Sequence, residues 1–329
     1  MLIRKAQPTA ASLHVDRMLT NMSIGYTNPM YICDELCPIV DTQKQSDLIP
    51  EYNQSFWFRD AAAMRAPGSK SRRGGFTVKH SSTYFSQRYS FGFELPDEVR
   101  DNTDEPFNMD RDAAMFVTDK VHMKREVAFA TDFFTTGIWG NDDTGGTDFT
   151  QWSDYADSSP LVDISTYQDE VEGKIGREAN CFVMGKQVWL KLKWHPDLID
   201  LIKYTQRGQL STDLFASLVD FPKVKVGRAI YTTTAEGTAE ASVSYTRVWG
   251  KNVLMMYVPD AASIMTPAAM YNFVWNRVAG ARQYIKRFRD EEREVDIFEA
   301  NSYFDQRLTV ANAGVFLSSA VAEVPGFSK

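Results

Sequence analysis

The chain has 329 residues, 43% hydrophobic and 24% charged, with a net charge of −7 and a pI near 5.3. That length can bury a sizeable core in one large or two modest domains, and the acidic balance excludes a dedicated nucleic-acid binder, whose footprint is normally basic. Three cysteines, Cys33, Cys37 and Cys181, follow no framework spacing, which excludes a secreted disulfide scaffold and suits a reducing cytosol.

The first twelve residues, MLIRKAQPTAAS, start basic but carry no apolar run, so no signal peptide is expected. Nowhere do eighteen apolar residues run together, so no membrane span is expected either. Residues 1–53 read as an extended arm, with one short amphipathic helix over Leu13–Met22. Asn28-Pro29, Cys37-Pro38 and Ile49-Pro50 punctuate the arm, and a residue before proline prefers extended geometry. Its apolar content, with Ile24, Tyr26, Tyr31, Ile32 and Leu36 among others, predicts that the arm is tied down against something.

Residues 54–96 read as a long hairpin. Its tip is the basic turn Gly68–Gly75 (GSKSRRGG), with Phe56, Trp57 and Phe58 on one arm and Phe76, Tyr84, Phe85, Tyr89, Phe91 and Phe93 on the other. A lone two-stranded ribbon is marginal in water, so such an arm needs a neighbouring molecule to lie on. The cations Lys70, Arg72 and Arg73 at the tip, with Lys79 following, allow two readings. They could form a small nucleic-acid patch with aromatics for stacking, or they could meet acidic surface on a neighbouring subunit. The acidic composition favours the second.

A long helix is expected over residues 104–140, with capping side chains at Asn102, Thr103 and Asn108 and early acids at Asp104, Glu105 and Asp110. Phe116, Met123, Val127, Ala130 and Phe134 fall on one face of it. At ~1.5 Å per residue, about thirty residues make a beam of roughly 45 Å. Residues 141–160 read as a polar loop. Helices are then expected at Tyr167–Ile175, Val188–Trp194, Asp197–Tyr204 and Asp213–Val219. Strands are expected at Cys181–Met184, Val224–Thr232, Val253–Val258, Phe273–Trp275, Tyr284–Phe288, Val295–Tyr303, Leu308–Val310 and Val315–Val321. Helices and strands mix without a βαβ rhythm, which makes the fold class α+β.

No catalytic constellation emerges. The histidines His14, His80, His122 and His195 are scattered and show no metal-binding spacing. Cys33 and Cys37 would need two further ligands to hold zinc. Asp142, Asp143 and Asp148 surround Gly145-Gly146 but lack the closing glutamate of a calcium loop. Gly185-Lys186-Gln187 lacks the upstream glycine and the hydroxyl of a phosphate loop. No catalytic, cofactor-binding or metal-binding residue is assigned, and no cofactor is expected.

The order of arm, hairpin, long helix, mixed lobe and C-terminal strands resembles a tailed-bacteriophage major capsid protein of the Hong-Kong-97-type fold, over essentially the whole chain. The parts that carry the likeness are Glu35–Val40 leading to Ile49-Pro50, the hairpin, and the run Tyr303–Ala322 (YFDQRLTVANAGVFLSSAVA). The resemblance implies an N-terminal arm at 1–53, an extended loop at 54–96 and a peripheral domain with the spine helix at 97–145. It further implies an axial domain at 146–290 and C-terminal strands at 291–329 returning to the peripheral domain. It implies a subunit that self-assembles through pentamers and hexamers into an icosahedral head, with inter-subunit contacts from Lys70, Arg72, Arg73 and Lys79. Some members cross-link an extended-loop lysine to a neighbour's asparagine; Lys70 and Lys79 lie in the matching region, with no partner matched. The implied partners are a portal, a separate scaffolding protein and non-specifically contacted DNA, with no membrane. The protein would be made in the host cytoplasm and reside in the virion capsid. The near alternative is the shell of an encapsulin-type compartment. The alternative of another class is a metal-dependent hydrolase using Asp142, Asp143 and His122.

Overall fold

The computed structural model describes residues 30–52, 58–75, 77–102, 108–203, 210–262, 268–278 and 281–322. The helix expected at Leu13–Met22, His14, Phe56, Trp57, Phe76, the acids Asp104 and Glu105, and the side chains of Lys79 and His80 lie outside them.

The N-terminal part places a short helix α1 (Cys33–Leu36) and a strand β1 (Ile39–Thr42) before a ribbon of β2 (Ser46–Tyr52) and β3 (Val78–Phe85). Next come β4 (Gln87–Pro96), α2 (Asp97–Asp101) and the long helix α3 (Met109–Phe133). The middle of the chain holds β5 (Asn141–Thr144), α4 (Pro160–Ile175), β6 (Cys181–Gly185), α5 (Lys186–Leu192), α6 (Pro196–Ile202) and α7 (Thr212–Leu218). It continues through β7 (Lys223–Gly227), the two-residue strands β8 (Ile230–Tyr231) and β9 (Thr246–Arg247), and β10 (Val253–Met256). The chain closes with β11 (Met270–Trp275), β12 (Gln283–Asp290), β13 (Val295–Leu308) and β14 (Gly314–Ser318).

Two five-stranded sheets organise the molecule. In the first, the 14-residue β13 is central. β12 and then β11 pair along one edge of it and β4 along the other, while β1 adds to β11 in parallel. Helix α3 packs across this sheet through Ala113, Ala114, Val117 and Val121, against Leu95, Ile285, Phe298 and Ala300. In the second sheet the order is β5-β14-β10-β6-β7, and β6 and β10 are buried at every position. This sheet and helices α4 to α7 enclose the largest core, which also receives Ile32, Leu36, Phe129 and Phe133.

The hairpin differs from its expected form. Its first strand is Ser46–Tyr52, ahead of the expected residue 54, and it pairs with Val78–Phe85. Pro50 supplies no N–H to the ladder, and the register shifts there, between Ile49 and Glu51. Gln87–Pro96 is a strand, as its alternation predicts, but it belongs to the first sheet because Leu95 is drawn into the contact with α3. The long helix exists but is shorter, from an Asn108 cap whose side chain accepts from the Arg111 N–H (3.0 Å) to Phe133. Its buried face is also turned from the predicted stripe. Phe116 is 44% exposed while Val117 and Val121 face the sheet, since the strands already supply the bulky side chains and the helix must contribute small ones. Within the expected polar loop, residues 141–144 form β5, parallel to β14. Of the expected strand at Leu308–Val310 only Leu308 is strand, as the last residue of β13.

Gly185, where β6 turns into α5, sits against other backbone. A Cβ there would lie 1.9 Å from the Gly250 carbonyl oxygen and 2.9 Å from that of Trp249. Neither neighbour is the end of a flexible side chain, so Gly185→Ala must push two backbone segments apart. We expect a loss of about 1–3 kcal/mol, read as a lower denaturation midpoint; an unchanged midpoint would refute the close approach.

Candidate functional site

The most exposed described segment is the loop 58–75, every residue of which faces solvent. Met64 is fully exposed and Phe58 is 64% exposed. The loop's only internal order is a turn at Pro67-Gly68. Gly68 takes φ +78°, a conformation glycine adopts without steric cost, and the Ser69 N–H and hydroxyl both donate to the Ala66 carbonyl at 3.1 and 2.8 Å. Arg59, Arg65, Lys70, Arg72 and Arg73 oppose one acid, Asp60, so the loop carries +4 in a chain of −7. Lys70, Arg72 and Arg73 share this loop and form no ion pair among the described residues. Lys79 is placed apart from them, on β3 opposite Glu51 in the ladder. Sequence patterning therefore locates the tip, while Lys79 belongs to the ribbon.

A second functional feature was not legible in sequence. Glu126 of α3 is completely buried and accepts from three donors: the Ile32 N–H (3.1 Å), the Cys33 N–H (2.9 Å) and the Trp249 indole N–H (2.7 Å). Burial pushes its carboxyl above the ordinary range, against the pull of those donors. The adjacent Arg125 grips both oxygens of Asp34 at 2.8 Å, donates to Ser302 and lies over the Phe304 ring. Glu35 pairs with Lys225, and Asp41 takes a two-pronged contact from Arg282 at 2.9 Å. The N-terminal segment is thus clasped to α3, to the second sheet and beside β12. The arm's predicted tie-down holds for residues 31–41. A charged pair such as Arg125-Glu126 reads as solvated surface in sequence, which hid its role.

One arrangement imitates an active site. Ser158 Oγ lies 3.0 Å from His195 Nε2, and Asp197 Oδ2 lies 3.9 Å from His195 Nδ1. The Nδ1 atom, however, accepts the Asp197 backbone N–H (3.3 Å), capping α6. The neutral ring therefore carries its proton on Nε2, pointing at the serine, which in turn donates to the Asp154 carbonyl. A base that activates serine needs the opposite tautomer and a carboxylate on Nδ1–H. Burial also lowers the His195 pKa, which keeps the ring neutral.

The aspartates of the alternative hydrolase reading each accept a hydrogen bond from a nearby residue. Asp142 accepts the Gly137 N–H and Asp143 the Tyr167 hydroxyl (2.6 Å); nearby Asp148, considered above for a calcium loop, accepts the Thr144 N–H (2.8 Å). His122 faces Asp34 instead, at 3.9 Å. No group of three metal-type ligands occurs among the described residues. Gly185-Lys186-Gln187 joins a strand to a seven-residue helix, and Cys33, Cys37 and Cys181 are free and buried.

No protein-family model matches the chain. It is 26% identical over 307 residues to the major capsid protein of Burkholderia phage BcepMu, covering 92% of this chain and 96% of that one. The chain is thus similar over nearly its whole length to phage major capsid proteins. Solved structures agree on the fold. A phage-related protein from Bordetella bronchiseptica superimposes with a TM-score of 0.74 at 20% identity, covering 94% of this chain and 98% of that one. The capsid of cyanophage P-SCSP1u gives 0.52 at 10% identity, covering 97% and 92%. The chain has the Hong-Kong-97-type fold of mixed helix and sheet. No helix among the described residues is long and apolar enough to cross a membrane.

Proposed function

We propose that this chain builds the icosahedral head shell of a tailed phage, joining copies of itself in pentamers and hexamers around packaged double-stranded DNA. The observation that carries this reading is the near full-length similarity to a phage major capsid protein. The 58–75 loop supports it, as a wholly exposed cationic segment on a ribbon that its own subunit leaves largely uncovered. The loop is the extended loop, α3 the spine of the peripheral domain and the second sheet the base of the axial domain. Lys70, Arg72 and Arg73 meet acidic surface of a neighbouring subunit. A portal, a separate scaffolding protein and loosely held DNA complete the set of partners. The chain is made in the host cytoplasm and ends in the virion capsid. Association of this kind is heterologous, one patch against a different patch, and closes by rotation into rings.

Electron microscopy and light scattering of the expressed full chain test this reading. Closed particles of megadalton mass are expected. A stable monomer or dimer at all concentrations would overturn it.

A further inference from the structure

The free edge of β4 has a specific occupant. β4 is ten residues long, about 34 Å at strand rise, and pairs with β13 alone. Along its other edge, alternate residues present backbone N–H and C=O groups that nothing among the described residues satisfies. Such an edge is a template for another strand, and natural proteins blunt long ones by proline, bulges or covering elements. Among the described residues β4 has none of these before Pro96, its last residue, and its register against β13 is unbroken. Beside the edge, Phe91 (40% exposed) and Phe116 meet edge to face at 5.8 Å, leaving an apolar shelf.

The loop 58–75 has the complementary need. It makes a single backbone–backbone hydrogen bond among the described residues, Ser69 N–H to Ala66, and it exposes Phe58 and Met64. The segment Phe58–Ala66 is nine residues long, nearly the length of β4. The charges also match. At the Pro96 end of β4, residues 97–101 and the turn 290–294 bring seven carboxylates against two arginines. They are joined there by the Asp97 N–H to Glu294 bond (3.1 Å) and the Arg293–Glu94 pair. Glu98 and Glu292 are exposed and make no ion pair among the described residues.

We propose that residues 58–66 of a second copy add to the outer edge of β4 as a parallel strand, carrying Lys70, Arg72 and Arg73 to Glu98 and Glu292. This rests on the shell reading and identifies the surface that the loop reaches. Main-chain pairing supplies affinity, and the charged end fixes direction and register.

Hydrogen exchange and charge swapping on the full chain test it. In closed particles, the Gln87–Leu95 amides are expected to exchange about tenfold or more slower than in dissociated subunits. Glu98→Lys with Glu292→Lys is expected to abolish closed particles, as is Arg72→Glu with Arg73→Glu. All four together are expected to restore them. Closed particles whose β4 amides exchange as in the free subunit would overturn the docking site and leave the shell reading intact. So would a folded fourfold variant, with wild-type circular dichroism, that forms no particles. Absence of particles from the unaltered chain would overturn both.

Discussion

Glu126→Ala is expected to destabilise the subunit by about 3–5 kcal/mol, because it orphans three buried donors at about 1–3 kcal/mol each. The three donors that now meet the carboxylate, at Ile32, Cys33 and Trp249, would be left buried without acceptors. Each orphaned group costs about 1–3 kcal/mol, less where relaxation admits water, so the total does not reach their sum. The truncation also leaves space beside Trp249, whose ring packs on Phe129 and Phe134. Denaturant unfolding monitored by tryptophan fluorescence measures the loss, and limited proteolysis should show the Ile32–Thr42 segment becoming cleavable. A shift below about 1 kcal/mol would refute the clasp.

The pH dependence of that difference has a definite sign. Burial raises the Glu126 carboxyl above its unfolded value, so the folded state holds its proton more tightly. Stability from this group is therefore fully present below the ordinary carboxylate range and declines as pH rises through the folded value. The gap between wild type and Glu126→Ala should narrow from pH 4 towards pH 8. The other titrating groups, His122 among them, are common to both proteins and cancel to first order.

The core strands were the most legible part of the sequence. Cys181–Met184, Val253–Val258 and Val315–Val321 each read as apolar runs, and the structure pairs all three in one sheet through β6, β10 and β14. The long helix was legible in existence but not in orientation. Its strongest apolar stripe includes Phe116, which instead rests on Phe91 and Phe93 at the rim of the sheet. The packing face is set by what the opposing strands leave room for, and a single helix does not encode that. The ribbon's pairing was not legible, because Ser46–Tyr52 contains a proline and its partner strand starts twenty-six residues beyond its end. No local signal joins segments so far apart. The basic tip was legible because glycine, proline and charge mark an exposed turn by composition alone, whereas the acidic end of β4 is assembled from residues 97–101 and 290–294 and exists only after folding.

Deleting residues 66–76 is expected to leave the fold intact and abolish closed shells. The described part of this stretch, 66–75, is fully exposed and carries no contact to either core, so the subunit loses little by its removal. A change within about 0.5 kcal/mol is expected, as for surface alterations away from buried features. Rejoining the ribbon through a shorter connection adds only a small loop-entropy term. Assembly responds differently because a closed shell repeats each contact at every subunit, so a modest loss per interface multiplies across the particle. The deletion removes Lys70, Arg72 and Arg73 together, and with them the cations available to an acidic neighbour. Circular dichroism and thermal unfolding should match the full chain, while electron microscopy should show no closed particles. Normal particles from the deletion would place the decisive contacts elsewhere on the subunit and remove the loop from the assembly mechanism.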